Sequence, residues 1–300
     1  PAEQAGLFFI SDMIKKQTLT LAVQKSGRLS EGSLKLLQKC GIGLQNGSNH
    51  LKAYARGFPL ELLFLRDDDI PRYVEDGVAD AGILGMNEVH EKACHVNVVE
   101  PLGFSRCRIS VAVPKEADYT GRQFLQGKRI ATSYPNILRK FLDENQIVAD
   151  IHPISGSVEI TPGLGLADAI FEIVSSGSTL TSNGLKEAEV VMQSEAVLIS
   201  NPRLDSIQEQ LLNKLLFRIQ SVQQAENNKY ILLNAPNDKI EAICRLLPGM
   251  KSPTILPLAM QGWSSLHSVI SEHDFWNVID QLKGAGAQGI LVVPIEKMVF

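Results

Sequence analysis

The feature that most constrains the fold is the alternation of short apolar segments with helical ones, joined by turns of small and polar residues. Three of the apolar segments have strand length: TLTLAVQ (18–24), LELLFL (60–65) and AGIL (81–84). Helical patterns lie between them, over 30–40 with Ser30 as the expected N-cap, and over 70–77. This β-α-β-α-β order predicts the α/β class, with a parallel sheet covered by helices.

A second series of strands and helices follows. The expected strands are 108–113, 128–132, 169–174, 189–192 and 196–199, and the expected helices are 134–145 and 204–226. The last 75 residues have the order β-α-β-β-α-β, with strands at 229–234, 253–258, 264–270 and 289–293 and helices at 237–247 and 273–284. That order is ferredoxin-like. Since 300 residues are many for one core, we expect two or three domains.

Composition limits the possible partners. The net charge is −4, so the basic surplus of a nucleic-acid-binding protein is missing. The four cysteines are scattered without a C-x-x-C pair, which favours neither a zinc site nor a disulfide framework and suits the reducing cytoplasm. No stretch approaches the roughly 18–20 apolar residues of a membrane span. We therefore expect a cytoplasmic protein without nucleic-acid or membrane partners.

The run Ser175-Ser176-Gly177-Ser178-Thr179 follows an apolar strand and is the strongest candidate for chemistry. Glycine lets successive N–H groups turn toward one anion, and the four hydroxyls are further donors. The run has no lysine, which suits a phosphate monoester better than a nucleoside triphosphate. Glu172, three residues earlier, can accept hydrogen bonds from ribose hydroxyls. A phosphate loop beside an acid indicates a phosphoribosyl site, whereas the alternative is a Ser/Gly turn that caps a helix.

Two further turns follow strands in the first half. In Gln24-Lys25-Ser26-Gly27-Arg28, two cations flank a Ser-Gly turn and can neutralise a polyphosphate, or they are simply solvated. In the run 66–71 (RDDDIP), Asp67 and Asp68 can position Arg66 or contact a hydrated Mg²⁺. The alternative for this run is a helix start at Asp69.

Three weaker segments complete the candidates. The pattern G-x-x-D-x-G-I in 76–85 (DGVADAGILG) resembles the hinge-side segment of bilobed solute-binding proteins and suggests two lobes with a cleft. Thr132, Ser133 and Tyr134 end another strand, and Glu159 lies in a turn where it could bind a base or ribose. Both could equally be ordinary turns.

Together these segments resemble the ATP phosphoribosyltransferase family in its long form, the first enzyme of histidine biosynthesis. The matching stretches are QKSGRLS (24–30), LRDDDIP (65–71), DGVADAGILG (76–85), GKRIATSYP (127–135), SGSVEI (155–160), GLADAIFEIVSSGSTL (165–180), SEAVLI (194–199), NKYILLNAP (228–236), SPTILPLA (252–259) and GILVVPIEKM (289–298). They cover nearly the whole chain in family order.

The resemblance implies a reaction and an architecture. N1 of the ATP adenine attacks C1 of 5-phosphoribosyl 1-pyrophosphate (PRPP), and pyrophosphate leaves, with Mg²⁺ required through the substrate phosphates. A bilobed, periplasmic-binding-protein-like catalytic body is expected, with a discontinuous domain I (1–104 and 190–224) and a domain II (105–189). A ferredoxin-like domain (225–300) is expected to bind the inhibitor histidine, and the family's long form is a hexamer that interconverts with dimers.

The resemblance also implies roles for residues. Glu172 falls on the ribose-binding acid, which is usually aspartate, and Ser175–Thr179 fall on the PRPP phosphate loop. The nucleotide and pyrophosphate positions are Lys25, Gly27, Arg28, Asp67, Asp68, Thr132, Ser133, Tyr134 and Glu159. Gly163 stands where the family pattern has arginine. Because the sugar passes through an oxocarbenium-like state, positioning and charge neutralisation are expected to carry the rate, without a single catalytic base.

Two other functions compete with this one. The segment 76–85 also suits a bilobed small-molecule sensor with a regulatory domain. The phosphate loop also suits a phosphoribosyltransferase that acts on a free base.

Overall fold

The computed structural model describes residues 17–44, 51–247, 249 and 252–299. Residues 1–16 and 45–50, which the sequence assigns to domain I, lie outside the described residues. The chain divides into two compact units, the first ending at Asn213 and the second beginning at Lys214. The expected division at residue 225 lies 11 residues further along the chain, near the end of the helix Ser206–Glu226 in which the observed division falls.

The first unit contains twelve described strands and begins a long helix. The strands are β1 (Leu19–Gln24), β2 (Gly43–Leu44), β3 (Lys52–Arg56), β4 (Leu60–Leu65), β5 (Ala81–Gly85), β6 (Asn97–Pro101), β7 (Cys107–Pro114), β8 (Arg129–Thr132), β9 (Asp150–Pro153), β10 (Ala169–Val174), β11 (Leu185–Ser194) and β12 (Ala196–Ser200). The helices are α1 (Arg28–Lys39), α2 (Ile70–Glu75), α3 (Met86–Lys92), α4 (Pro135–Glu144), α5 (Ser178–Ser182) and α6 (Ser206–Glu226).

The strands form two sheets, which are the two lobes. The first lobe has the order β2-β3-β4-β1-β5-β12-β6, in which β1 pairs parallel with β4 and β5. The second has the order β11-β7-β10-β8-β9, with β8 parallel to β9 and β10. The predicted boundary at residue 190 falls inside β11, whose residues pair with β7 as far as Ser194.

Apolar strands are central in both sheets because helices cover their faces. Leu21 and Val23 of β1 are fully buried, as the continuous apolar run predicts. In the second lobe, Phe171 of β10 is fully buried and stacks on Phe141 of α4, with ring centroids 6.2 Å apart. The cores thus fix the ends of β1, β8 and β10, where the candidate residues lie.

Among its described residues, the second unit has four strands and two helices beyond α6. The strands are β13 (Asn228–Pro236), β14 (Thr254–Pro257), β15 (Trp263–Ser271) and β16 (Gln288–Pro294), and the helices are α7 (Ile240–Leu246) and α8 (Glu272–Gly284). The sheet order β14-β15-β13-β16 is the ferredoxin-like one. Ile231, Ile243 and Leu282 are fully buried between the sheet and its helices. The predicted fold class is confirmed.

Several local predictions were wrong. The first helix begins at Arg28 with Gly27 as its N-cap at φ +92°, and Ser30 is buried inside it. The alternative of a helix start at Asp69 is confirmed, since Asp69 is the N-cap residue of α2, although its side chain makes no capping hydrogen bond. The edge strand β3 and the seven-residue α3 were missed because short, partly polar segments carry little periodic signal.

Within the described ranges, no helix is both long enough and apolar enough to cross a bilayer.

Candidate active site

The predicted phosphate loop lies at the carboxyl end of β10. Gly177 has φ +79°, in the left-handed region that favours glycine, and α5 begins at the next residue. The four hydroxyl residues of the loop are exposed. The hydroxyls of Ser176 and Ser178 share a hydrogen bond of 2.9 Å, so both lie on the same side of the turn.

Glu172 connects the loop's strand with the end of β8. Its Oε2 accepts a hydrogen bond from the Ser133 N–H (3.1 Å), and its Oε1 accepts one from the Ile173 N–H (3.0 Å). A carboxylate offers about four acceptor positions, so two remain for a ligand's hydroxyls. Burial raises the pKa of Glu172, and the negative charge of Glu159 adds to this, which places Glu159 in the same neighbourhood.

The turn after β8 is held by its own side chains. Thr132 is buried and its Oγ1 accepts a hydrogen bond from the Tyr134 N–H (2.8 Å). The Ser133 hydroxyl donates to the Ile154 carbonyl (3.0 Å), and the buried Tyr134 hydroxyl accepts from Asn87 Nδ2 (3.3 Å). Thr132 and Tyr134 therefore shape the turn, while Ser133 uses its N–H to hold Glu172.

Sequence reasoning missed a set of buried polar residues on α3 that contact this turn. Asn87 is the hub: its Nδ2 donates to Glu88 Oε1 (3.0 Å), and its Oδ1 accepts from the Ser194 hydroxyl (2.8 Å). Burial raises the pKa of Glu88 to about 7, with the charge of Asp67 as the next cause. The sequence signal that could have revealed this set is the pair Glu88 and Glu91, two acids three residues apart on a short helix that follows a buried strand.

Glu91, the second of those acids, joins the two lobes. Its carboxylate accepts hydrogen bonds from the N–H groups of Asn136 (3.1 Å) and Ile137 (3.0 Å) in the first turn of α4. Asn136 Nδ2 donates back to the Glu91 carbonyl (3.0 Å). Tyr134, the N-cap residue, provides no side-chain cap, so an acid from the first lobe caps a helix of the second.

The two candidate turns of the first lobe are adjacent. The Lys25 N–H donates to the Leu65 carbonyl (2.8 Å), which places the turn 24–28 beside the turn 66–69. The side chains of Lys25 and Arg28 are exposed. These cations are thus available on the surface at the carboxyl end of the first sheet.

Two aspartates of the acidic run, Asp67 and Asp68, interact with different groups. Asp68 lies 3.2 Å from Arg66 Nε and 3.7 Å from Lys92 Nζ, so it positions cations, as one of the sequence alternatives had it. Burial raises the pKa of both Tyr134 and Glu88, and the negative charge of Asp67 adds to both shifts. Asp67 is therefore close enough to these two groups to act on them by charge.

Gly163 lies in a loop that a hydrogen bond from Arg129 holds in place. Arg129 donates to the Gly165 carbonyl (2.9 Å) and pairs with Asp168 (2.9 Å). Arg129 holds the pKa of Asp168 down, to about 2. Because Arg129 is engaged there, it does not replace the arginine that the family pattern has at 163.

In the part of the chain that the structure describes, no three His, Cys, Asp or Glu side chains lie close enough to share an ion. The acids Glu172, Glu159 and Asp67 instead occur as separate acceptors around the turn.

The sequence also matches two protein-family models. A family model described as ATP phosphoribosyltransferase matches residues 66–221, and a model described as HisG, C-terminal domain, matches residues 225–297. The chain belongs to the ATP phosphoribosyltransferase family. The family identified from the sequence motifs is thereby confirmed, and with it the assignment as an enzyme of the pentosyltransferase class.

Relatives in the family cover nearly the whole chain. The ATP phosphoribosyltransferase of Cytophaga hutchinsonii is 60% identical over 281 residues, covering 94% of this chain and 98% of the relative. That of Azobacteroides pseudotrichonymphae is 58% identical, covering 94% and 100%. Among solved structures, the ATP phosphoribosyl transferase (HisG:HisZ) complex from Thermotoga maritima has a TM-score of 0.58 at 28% identity, covering 68% of this chain and 99% of that one.

Proposed function

We propose that this family member transfers the phosphoribosyl group of PRPP to N1 of ATP, the first step of histidine biosynthesis. A bond forms between adenine N1 and ribose C1 while the bond from C1 to the pyrophosphate oxygen breaks, and pyrophosphate leaves with the electron pair. The observation that carries the proposal is Glu172, which lies three residues before the phosphate loop and is held by the Ser133 N–H at 3.1 Å.

In this proposal PRPP binds to the second lobe. The loop from Ser175 to Thr179 holds the 5-phosphate through its exposed hydroxyls and the backbone turned by Gly177. Glu172 accepts hydrogen bonds from the ribose hydroxyls with the acceptor positions that its two N–H donors leave open. Glutamate extends one methylene further than the family's aspartate, and its two backbone hydrogen bonds offset that extra freedom.

ATP and the leaving pyrophosphate are assigned to the first lobe and the facing turn. Lys25 and Arg28 are exposed cations that suit pyrophosphate oxygens, and Gly27 gives the turn its left-handed residue. Asp67 and Glu159 are acceptors for the nucleotide's amino and hydroxyl groups. Positioning and charge neutralisation supply the rate, because the oxocarbenium-like sugar needs no protein nucleophile.

Mg²⁺ completes the proposal. It would be held mainly by the pyrophosphate of PRPP and by water, in keeping with a site whose carboxylates are spread rather than clustered. When bound, it neutralises negative charge on the leaving group. Asp67 and Asp68 would be the carboxylates to assist it, of which Asp68 is already paired with Arg66 and Lys92.

The second unit is proposed to bind histidine as a feedback inhibitor, within 225–300. The match of its family model and its ferredoxin-like sheet support this assignment. Homo-oligomerisation as dimers and hexamers belongs to the same proposal. A cytoplasmic location is supported by the four cysteines, which are all free thiols.

The direct test mixes the protein with ATP, PRPP and Mg²⁺ and follows the ultraviolet absorbance of phosphoribosyl-ATP. Product is expected with ATP and not with free adenine or other bases. Tight ligand binding without product would instead favour the bilobed sensor, and turnover of a free base would favour a different phosphoribosyltransferase.

A further inference from the structure

Arg108 lies at the end of β7 that adjoins the phosphate loop. In the antiparallel pairing of β7 with β10, it is opposite Val174, the residue before the loop. Its Nη1 donates a hydrogen bond to the carbonyl of Ser175, the first loop residue, at 2.9 Å. This arginine therefore contacts the loop backbone directly.

The guanidinium is itself held in one orientation. Its Nε and Nη2 donate to the two carboxylate oxygens of Glu187 on β11, each at 2.6 Å. The fully buried Ser110 hydroxyl also donates to Glu187 Oε1 (2.6 Å). A bidentate pair of this kind fixes the plane of the guanidinium, and so it fixes the direction of the remaining Nη1–H.

The contact determines which way one loop peptide faces. In a trans peptide the carbonyl and the next N–H point to opposite sides, and the described residues contain no cis peptide bond. Holding the Ser175 carbonyl toward Arg108 turns the Ser176 N–H to the other side of the peptide plane. Since Glu187 already neutralises the guanidinium, Arg108 acts through this orientation more than through its charge.

We infer that Arg108, fixed by Glu187, is a positioning residue for the phosphate loop and so helps to set the affinity for the 5-phosphate of the sugar substrate. This rests on the proposed function, since that function places the phosphate in the loop. Arg108 has no assigned contact with the substrate, so it is not a catalytic residue.

The test compares Arg108→Lys and Glu187→Gln with Arg122→Lys as the matched control. Arg122 pairs with Glu189 on the same strand β11 (2.5 Å), and its Nη1 donates to Asn145 Oδ1 (2.8 Å) and not to a loop carbonyl. Steady-state kinetics give kcat and the KM values of PRPP and ATP, and calorimetry gives the Kd of ribose 5-phosphate.

Arg108 uses two nitrogens on Glu187 and a third on the Ser175 carbonyl. Lysine has a single side-chain nitrogen, so it cannot make all three contacts in this geometry. Arg108→Lys should therefore raise the KM of PRPP and the Kd of ribose 5-phosphate about tenfold, the size of one charge-assisted hydrogen bond. Glu187→Gln should raise both about threefold, because it loosens the guanidinium. The KM of ATP, and all values for Arg122→Lys, should stay within about twofold of wild type.

Three results would overturn the inference. One is an unchanged PRPP KM in Arg108→Lys. Another is tighter ribose 5-phosphate binding in Glu187→Gln, which would mean that charge, not orientation, matters. The third is an equal rise of both KM values with a lower melting temperature, which would make Arg108 a support of the lobe only. Failure of the wild-type protein to form product counts against the proposed function instead.

Discussion

Replacing Glu88 by glutamine should change how the stability of the protein depends on pH. Glu88 is buried beside Asn87 and Tyr134, and its carboxyl has a pKa of about 7 against an ordinary 4.5. Glutamine keeps the oxygen that accepts from Asn87 and cannot ionise. The substitution therefore removes the titration while preserving the shape of the side chain.

The magnitude follows from the two pKa values. The unfolded chain releases this proton near pH 4.5 and the folded chain only near pH 7. The contribution of Glu88 is therefore fully present below pH 4.5 and is lost as the pH rises to 7. At about 1.4 kcal/mol for each tenfold change in proton affinity, the loss is about 3 kcal/mol.

The assay is urea unfolding followed by far-ultraviolet circular dichroism between pH 5 and pH 8. Glu88→Gln and wild type should differ by less than about 1 kcal/mol at pH 5, and the variant should be more stable by up to about 3 kcal/mol at pH 8. The control is Glu144→Gln, at an exposed ion pair with Lys140 on α4. A difference between Glu88→Gln and wild type that stays constant over this pH range would refute the reasoning.

Three other substitutions or truncations test different parts of the structure. Gly177→Val should raise the KM of PRPP at least tenfold, since a β-branched residue is strained at φ +79°; an unchanged KM would remove the loop from the PRPP site. Glu91→Ala should lower the free energy of unfolding by about 2 kcal/mol, because the N–H groups of Asn136 and Ile137 lose their acceptor; a urea-unfolding loss below about 0.5 kcal/mol would contradict the cap. A chain ended after Glu226 should keep some catalysis but lose inhibition by histidine, and inhibition that persists would locate the effector site in the first unit.

The sequence predicted the parts of the fold that bury continuous apolar strands. β1, β4 and β10 were found because most of their residues are apolar, as in LELLFL, and the βαββαβ order was found from alternating strands and helices. β3 and β6 were missed, because their half-exposed residues give no clear period. The hydrophobic pattern of a sequence reflects which residues are buried, so a strand with few buried residues has no clear pattern.

The candidate site was predictable only where residues share a turn. The loop 175–179 and the acid Glu172 are close in sequence, so spacing alone could join them. The contacts of Glu172 with Ser133, and of Arg108 with Ser175, span 39 and 67 residues. No local pattern encodes such partners, because they meet only when two strands pair in a sheet.

The cap that Glu91 places on α4 also has a consequence for the orientation of a sugar phosphate in the proposed function. The second lobe has two strand–turn–helix units side by side, β8 with α4 and β10 with α5, and each ends in N–H groups that attract an anion. At α4 those groups are already taken by a carboxylate of the protein itself. Under the proposed function, this carboxylate directs the phosphate to the loop beside β10 instead of to α4, and so it sets the direction in which the substrate would lie.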